Sequence, residues 1–129
     1  MRCVISGAFD LFHEGHKHIL QEAASCASEL IVLLNTDRSI RRRKGKDRPV
    51  WPYERRLQAI RSHLNLPHKI YPIDSQAELN AILERLKPDR LYIGSDYKGK
   101  KVTGRKWVGQ VVWVERLPEW STTKLIDPD

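Results

Sequence analysis

Cysteines, long apolar runs and low-complexity segments are scarce or missing in this sequence. Its two cysteines, Cys3 and Cys26, make neither a Cys-x-x-Cys pair nor a disulfide framework, so we expect two reduced thiols in the core. The longest apolar runs, such as residues 30–34, are far too short to span a bilayer. Because the N-terminus carries no signal-peptide pattern, we expect a cytoplasmic protein without a membrane partner.

Acidic side chains are outnumbered by basic ones: 23 Lys and Arg against 16 Asp and Glu give a formal net charge of +7. This excess indicates an anionic partner and leaves nucleic acid, nucleoside triphosphates and sugar phosphates open. With 129 residues, 40% of them hydrophobic, the chain suits one globular domain over residues 1–129. A chain of this length buries roughly two-thirds of its unfolded surface without help from a metal or a disulfide.

The apolar pattern predicts strands that alternate with helices. The predicted strands cover residues 2–6, 30–34, 69–73, 91–93 and 111–114, and the predicted helices cover residues 16–27 and 76–86, with two more that begin at Pro52 and Ser121. Residues 35–51 have no usable period and are predicted to form a polar, basic loop. This alternation implies right-handed crossovers, and hence a Rossmann-like α/β domain with a mostly parallel sheet and helices on both faces.

Four polar loops follow predicted strands, at residues 7–16, 35–51, 94–104 and 115–123. Ligands of parallel α/β sheets bind beyond the carboxyl ends of the strands. We therefore expect these loops to converge on one edge of the sheet and to carry the functional residues.

The first of these loops has the features of a phosphate-binding turn. Gly7 lacks a Cβ and allows close approach of a ligand to the backbone. A helix that begins near Gly15 directs its free N–H groups and its dipole at the same place. His13 and His16 could donate hydrogen bonds to an anionic centre, or become charged near neutral pH when phosphates stand beside them.

Two other interpretations of the histidines are weaker. A zinc protease helix needs His-Glu-x-x-His, with histidines four apart on one helical face, whereas His13 and His16 are three apart with a glycine between them. Alternatively, both histidines are ordinary surface residues of a strand-to-helix loop. The presence of Gly7, Asp10 and Gly15 around them argues against this second interpretation.

A strongly basic segment follows the second predicted strand. Residues 41–50 contain six cations in ten positions, and like charges repel unless something anionic lies among them. A triphosphate would serve, but the same segment could be a solvated or nucleic-acid-binding loop. Arg55 and Arg56 follow on the first turn of the next helix, and one of them is expected to face the same cleft.

Residues 7–16 resemble the signature Gly-x-Phe-Asp-x-x-His-x-Gly-His of the cytidylyltransferase-like nucleotidyltransferases. Its fixed positions are met by Gly7, Phe9, Asp10, His13, Gly15 and His16. The resemblance implies that the two histidines contact the transferring phosphoryl oxygens. It also implies that the rest of the motif, including Ala8, borders the nucleotide, and that Asp10 orients these groups or assists Mg²⁺ indirectly.

The basic segment resembles one branch of this family, the D-glycero-β-D-manno-heptose 1-phosphate adenylyltransferases. Their run Lys-Gly-x-x-Arg-Pro-Val-x-Pro-x-Glu-x-Arg is matched from Lys44 to Arg56. The match implies that Lys44, with Lys46 nearby, contacts the triphosphate and that Arg56 holds phosphate. The glycerol-3-phosphate cytidylyltransferases are similar at Tyr53, Glu54 and Arg56 but lack the Arg-Pro-Val, so adenine is favoured as the base.

Two later segments carry further resemblance. Gly94, Asp96 and Tyr97 are similar to a nucleotide-bordering loop of the heptose-phosphate branch, in which Tyr97 would stack on the base, support the loop, or pack without any ligand contact. The segment from Arg116 to Thr123 resembles the second family signature, Arg-x-x-x-x-Ser-Thr-Thr. Its Ser121, Thr122 and Thr123 would offer hydroxyl and N–H groups to phosphate at a helix start, the alternative being a plain N-cap.

The resemblance implies an enzyme that joins a nucleoside triphosphate to a small phosphate ester and releases pyrophosphate. ATP and a sugar 1-phosphate are the favoured pair, with CTP and glycerol 3-phosphate or an alditol phosphate as the alternative. A non-catalytic nucleotide- or nucleic-acid-binding module is the rival of another class, and the intact histidine pair argues against it. Magnesium is expected to arrive with the triphosphate, without dedicated protein ligands, and a homodimer is compatible with the sequence.

Overall fold

The computed structural model describes residues 1–94 and 105–114. Its strands are β1 (Arg2–Gly7), β2 (Glu29–Asn35), β3 (His68–Ile73), β4 (Arg90–Gly94) and β5 (Gln110–Val114). Its helices are α1 (Glu14–Ser25), α2 (Asp37–Lys44), α3 (Tyr53–Ser62) and α4 (Gln76–Leu86), with a 3₁₀ turn at Arg105–Trp107.

All five described strands are parallel and are arranged in the order β3-β2-β1-β4-β5. The chain runs outward from β1 through β2 to β3, then crosses back to β4 on the other side of β1. The strand order therefore reverses between β1 and β4, which is where α/β sheets open a ligand crevice at their carboxyl edge. The β1–α1 loop, with its two histidines, begins at this point.

The core forms two apolar layers because successive side chains of each buried strand point to opposite faces. On one face, Ile5 of β1 packs in a cluster with Leu20 of α1 and Ile60 of α3. On the other face, Val4 lies in a cluster with Leu83 of α4. These layers confirm the predicted Rossmann-like α/β fold with helices on both faces of the sheet.

Helix α2 forms inside the segment that was predicted to be a loop. Thr36 caps it by accepting a hydrogen bond from the Ser39 N–H at 3.1 Å, and basic side chains occupy its last turn, where they suit the helix dipole. Gly45 ends the helix with φ of 101°. Only Ser39 and Ile40 are buried, so the helix carries no apolar period that the sequence could have revealed.

The predictions for the start of α1 and for the two cysteines can be compared with the structure. Helix α1 begins at Glu14, earlier than the predicted residue 16, because His13 caps it. Cys3 is buried as expected, but Cys26 is exposed at the end of α1, so the prediction of a second core thiol was wrong. The predicted helix from Ser121 lies outside the described residues.

Over residues 1–94 and 105–114, no helix combines the length and apolar character needed to cross a membrane.

Candidate active site

The β1–α1 loop adopts an unusual backbone. Phe9 and Leu11 have φ of 53° and 57°, a left-handed conformation that is uncommon for bulky residues and costs on the order of 1 to 3 kcal/mol each. Asp10 holds the loop between them: its Oδ2 accepts from the Val50 N–H and its Oδ1 from the Trp51 N–H, both at 2.8 Å. The loop is thereby tied to the segment that precedes α3.

Gly7 serves this loop in a way that the sequence did not reveal. A Cβ at this position would lie 3.1 Å from Cε2 of Phe9, closer than ordinary van der Waals contact. The missing Cβ of Gly7 therefore makes room for the Phe9 ring. Phe9 is itself 4% exposed and belongs to the core under α1.

The two histidines form a reciprocal cap at the start of α1. His13 Nδ1 accepts from the Gly15 N–H at 3.1 Å, and His16 Nδ1 accepts from the His13 N–H at 3.2 Å. This is a capping box in which imidazoles replace the usual hydroxyl and carboxylate. The rings stack with centroids 3.7 Å apart. The Gly15 N–H, expected to face a ligand directly, is therefore used by His13.

The cap determines which imidazole nitrogen carries the proton. Because each Nδ1 accepts a hydrogen bond, the neutral ring must carry its hydrogen on Nε2. Burial against Phe9 and Phe12, and then the nearby His13, lower the pKa of His16 to about 3. His16 is therefore a neutral Nε2–H donor in the ligand-free protein.

The low pKa of His16 predicts how the free energy of unfolding changes at acidic pH. A folded pKa of about 3, below the ordinary 6.5, means that the unfolded chain takes up the His16 proton first as the pH falls. The His16 contribution to stability is complete above about pH 6.5 and is lost toward pH 3, by at most about 1.4 kcal/mol per pH unit. His16→Gln keeps a capping-box side chain but has no group that titrates in this range. In this variant the free energy of unfolding should depend less on pH between about pH 6.5 and pH 3. Urea unfolding and NMR titration test it, and a His16 ring that titrates near pH 6.5 would contradict it.

Arg56 connects the segments around the site from inside the protein. The side chain has no exposed surface. Its Nε donates to the Trp51 carbonyl at 3.0 Å, and its Nη1 donates to the carbonyls of Ala8 and Asn35, each at 2.8 Å. Its Nη2 donates to Asp37 Oδ1 at 2.6 Å. The sequence predicted that Arg56 holds phosphate; the structure instead assigns its donors to the protein, where they join the ends of β1 and β2 to α2 and α3.

The basic segment presents its cations from a helix and from the turn after it. Lys44 is the last residue of α2, Lys46 follows Gly45, and both lysines are exposed. Arg55 is also exposed, and its guanidinium carbon lies 4.0 Å from the Trp51 ring centroid. Of the two neighbouring arginines of α3, Arg55 is therefore the one that remains at the surface.

A cavity of about 390 Å³ opens at the carboxyl edge of the sheet, on the face covered by α4. Its apolar walls are Leu33, Ile73, Leu79, Leu91 and Ile93, and its polar lining consists of Ser6, Asn35, Ser39, Arg42, Arg43, Asp74, Ser75 and Gln76. It reaches Gly7, the residue at which the histidine loop begins. Sequence reasoning placed Arg42 and Arg43 in the basic segment without naming them as site residues, and it missed Asp74, although its position directly after a predicted strand was a usable signal.

The remaining predicted site residues divide into two groups. Gly94 ends β4 at the carboxyl edge, paired with Val114 of β5, and Gly15 is buried in the first turn of α1. The predictions for Asp96, Tyr97, Arg116, Ser121, Thr122 and Thr123 lie outside the described residues and stay predictions.

The carboxylates near the site already have protein partners. Asp10 accepts from two backbone amides, Asp37 from Arg56, and Asp74 from Thr36 and Arg38. Within the described ranges, no cluster of three or more His, Cys, Asp or Glu side chains could hold a metal ion. These three carboxylates are thus engaged in contacts within the protein.

The site combines the switch point of a parallel sheet, a helix capped by imidazoles and a neighbouring cationic helix. This combination is typical of domains that bind phosphate groups. The sequence matches the cytidylyltransferase-like family over residues 4–127, and the chain belongs to that family. The resemblance inferred from residues 7–16 is thereby confirmed, and with it the assignment of the chain as a nucleotidyltransferase.

Curated relatives of this chain are much longer proteins. The bifunctional protein HldE of Gluconobacter oxydans (strain 621H) is 39% identical over 125 residues, which cover 94% of this chain and 26% of that protein. The bifunctional protein HldE of Campylobacter fetus subsp. fetus (strain 82-40) is 37% identical over 122 residues, 95% of this chain and 26% of that protein. The chain thus spans about a quarter of the length of these relatives.

Solved structures agree with this fold. The lipopolysaccharide core biosynthesis protein from Thermoplasma volcanium GSS1 superposes with a TM-score of 0.68 at 26% identity, over 91% of this chain and 98% of that chain. A pantothenate synthetase from Thermus thermophilus superposes with a TM-score of 0.63 at 15% identity, over 96% of this chain and 60% of that chain. The second comparison supports the fold alone.

Proposed function

We propose that this chain transfers AMP from ATP to a sugar 1-phosphate similar to heptose 1-phosphate and releases pyrophosphate. The observation that carries the proposal is the imidazole pair at the start of α1, with both Nδ1 atoms accepting backbone hydrogen bonds and both Nε2 atoms left with the proton. The similarity to HldE proteins and the run from Lys44 to Arg56 support ATP and a sugar phosphate as the substrates.

The proposed reaction needs positioning and charge stabilisation more than it needs a protein base. An acceptor phosphate oxygen attacks the α-phosphorus of ATP in line, a new P–O bond forms, and the bond to the leaving pyrophosphate breaks. The acceptor is already anionic, so no proton has to be removed from it. Preorganised donors that face the developing negative charge then lower the barrier.

The histidines supply such donors with little reorganisation. His13 and His16 lie at the positive end of α1, and their Nδ1 bonds to the Gly15 and His13 N–H groups lock the ring orientation. In this proposal their Nε2–H groups donate to the oxygens of the transferring phosphoryl group. Lys44 contacts the triphosphate, and Arg56 is a positioning residue that holds the surrounding segments together.

The cavity beside β1 suits the acceptor. Its volume of about 390 Å³ lies in the range usual for small-molecule sites. Hydroxyl, amide and guanidinium groups in its lining match the hydroxyls and phosphate of a sugar phosphate, and the lining includes Gly7, where the histidine loop begins. Magnesium would accompany the triphosphate and neutralise part of its charge.

The test is a substrate screen. The four ribonucleoside triphosphates are combined with a panel of sugar and polyol phosphates, and pyrophosphate release is measured at steady state. ATP should exceed CTP by at least roughly tenfold in kcat/KM, which equals about 1.4 kcal/mol of differential transition-state binding. Equal use of both, or a preference for CTP, would contradict the adenylyl assignment, and no release with any pair would contradict the proposed activity.

A further inference from the structure

A single residue after β3 connects to three successive parts of α2. Asp74 Oδ1 accepts from the Thr36 hydroxyl at 2.6 Å, and Thr36 is the N-cap of α2. Arg38, in the first turn, donates to the same carboxylate through Nε at 3.2 Å and Nη2 at 2.8 Å. Arg42, one turn later, donates through Nη2 to the Asp74 carbonyl and lies 3.4 Å from Oδ2.

Apart from the ion pair between Asp37 and Arg56, α2 has few buried contacts. The helix has eight residues, of which only Ser39 and Ile40 are buried. A helix this short is marginal without tertiary contacts, so the polar contacts of Asp74 contribute much of its attachment. The hydrogen bonds from Arg38 and Thr36 hold the pKa of Asp74 well below its usual range, so this carboxylate is ionised at neutral pH.

The contacts with Asp74 hold Arg42 at the mouth of the cavity and use only its Nη2 group. Arg42 and Asp74 both line the cavity, whereas Arg38 does not. Both contacts of Arg42 with Asp74 use Nη2. Among the described residues, none accepts a hydrogen bond from its Nε or Nη1. A guanidinium with such donors is suited to charge-assisted hydrogen bonds with phosphate oxygens.

We propose that Asp74 is a positioning residue that fixes Arg42 at the cavity mouth, where Arg42 binds the phosphate of the acceptor. This inference rests on the proposed function, because it assumes that the cavity receives a phosphorylated acceptor. Asp74 orients the arginine and does not touch the acceptor phosphate, since a carboxylate would repel it. The cavity that Arg42 lines also reaches Ser6 and Gly7, where the histidine loop begins.

The test compares three single variants and one double variant in the full chain. Asp74→Asn and Arg42→Gln should each raise the KM for D-glycero-β-D-manno-heptose 1-phosphate by about tenfold, the scale of one charge-assisted hydrogen bond, with the KM for ATP within about twofold of wild type. The double variant should be no worse than Arg42→Gln alone, because Asp74 acts on the acceptor only through Arg42. Arg41→Gln is the matched control: Arg41 lies on the same helix, is exposed and does not line the cavity, so this variant should leave the acceptor KM within about twofold.

A binding experiment keeps this inference separate from the proposed activity. Calorimetry with inorganic phosphate should give a Kd that rises by about tenfold in Asp74→Asn and Arg42→Gln, even if no acceptor in the panel is turned over. An absence of wild-type turnover would then contradict the proposed function alone. Equal rises in both KM values, additive effects in the double variant, or an unchanged phosphate Kd would overturn the role of Asp74 as a positioning residue.

Discussion

Replacing His16 with alanine is expected to leave the protein folded and to reduce turnover by on the order of 100-fold or more. The expected loss is the size seen when one preorganised donor is removed from a developing oxyanion. The variant also loses the hydrogen bond to the His13 N–H, so a modest decrease in stability of about 1 kcal/mol should accompany it. Steady-state pyrophosphate release and thermal unfolding measure the two effects.

Two variants separate the chemistry of His16 from its capping role. His16→Gln can still reach back to the N-cap amide and should recover most of the stability without recovering the turnover. His18 lies on the same helix but outside the capping box, so His18→Ala should behave like wild type. Turnover near the wild-type level in folded His16→Ala would contradict the proposed mechanism.

Replacing Arg56 with alanine is expected to lower the free energy of unfolding by about 3 kcal/mol or more. The change removes a fully buried guanidinium and leaves the carboxylate of Asp37 and three carbonyl oxygens without their donor. The decrease in Tm should be on the order of 10 °C for a domain of this size. Urea unfolding and calorimetry would measure it.

Arg61→Ala is the matched control for this variant, because Arg61 lies on the same helix but is exposed. It should change the free energy of unfolding by no more than about 0.5 kcal/mol. If Arg56 instead binds phosphate directly, as the sequence predicts, Arg56→Ala should weaken ATP binding and leave the free energy of unfolding nearly unchanged. Normal stability with weakened ATP binding in Arg56→Ala would support that prediction and contradict the structural role.

The sheet could be predicted from the sequence because its strands are continuous apolar segments. A run such as residues 30–34 is buried on both faces, so its hydrophobicity reports the strand directly. Helix α2 could not be predicted in this way. It is stabilised by the Thr36 cap and by contacts with Asp74, a residue that follows another strand. Such contacts leave no local apolar period in the sequence.

The sequence by itself determined the alternation of strands and helices, the family, and the position of the histidine pair at the start of α1. These features depend on local periodicity and on a motif within ten residues, so neighbouring side chains are enough to define them. Only the tertiary structure decided that Arg56 faces the interior and that Arg42 lines the cavity. The direction of an arginine depends on which acceptors lie within its reach, and for Arg56 these include the carbonyls of Ala8 and Asn35, which come near only when the sheet has formed.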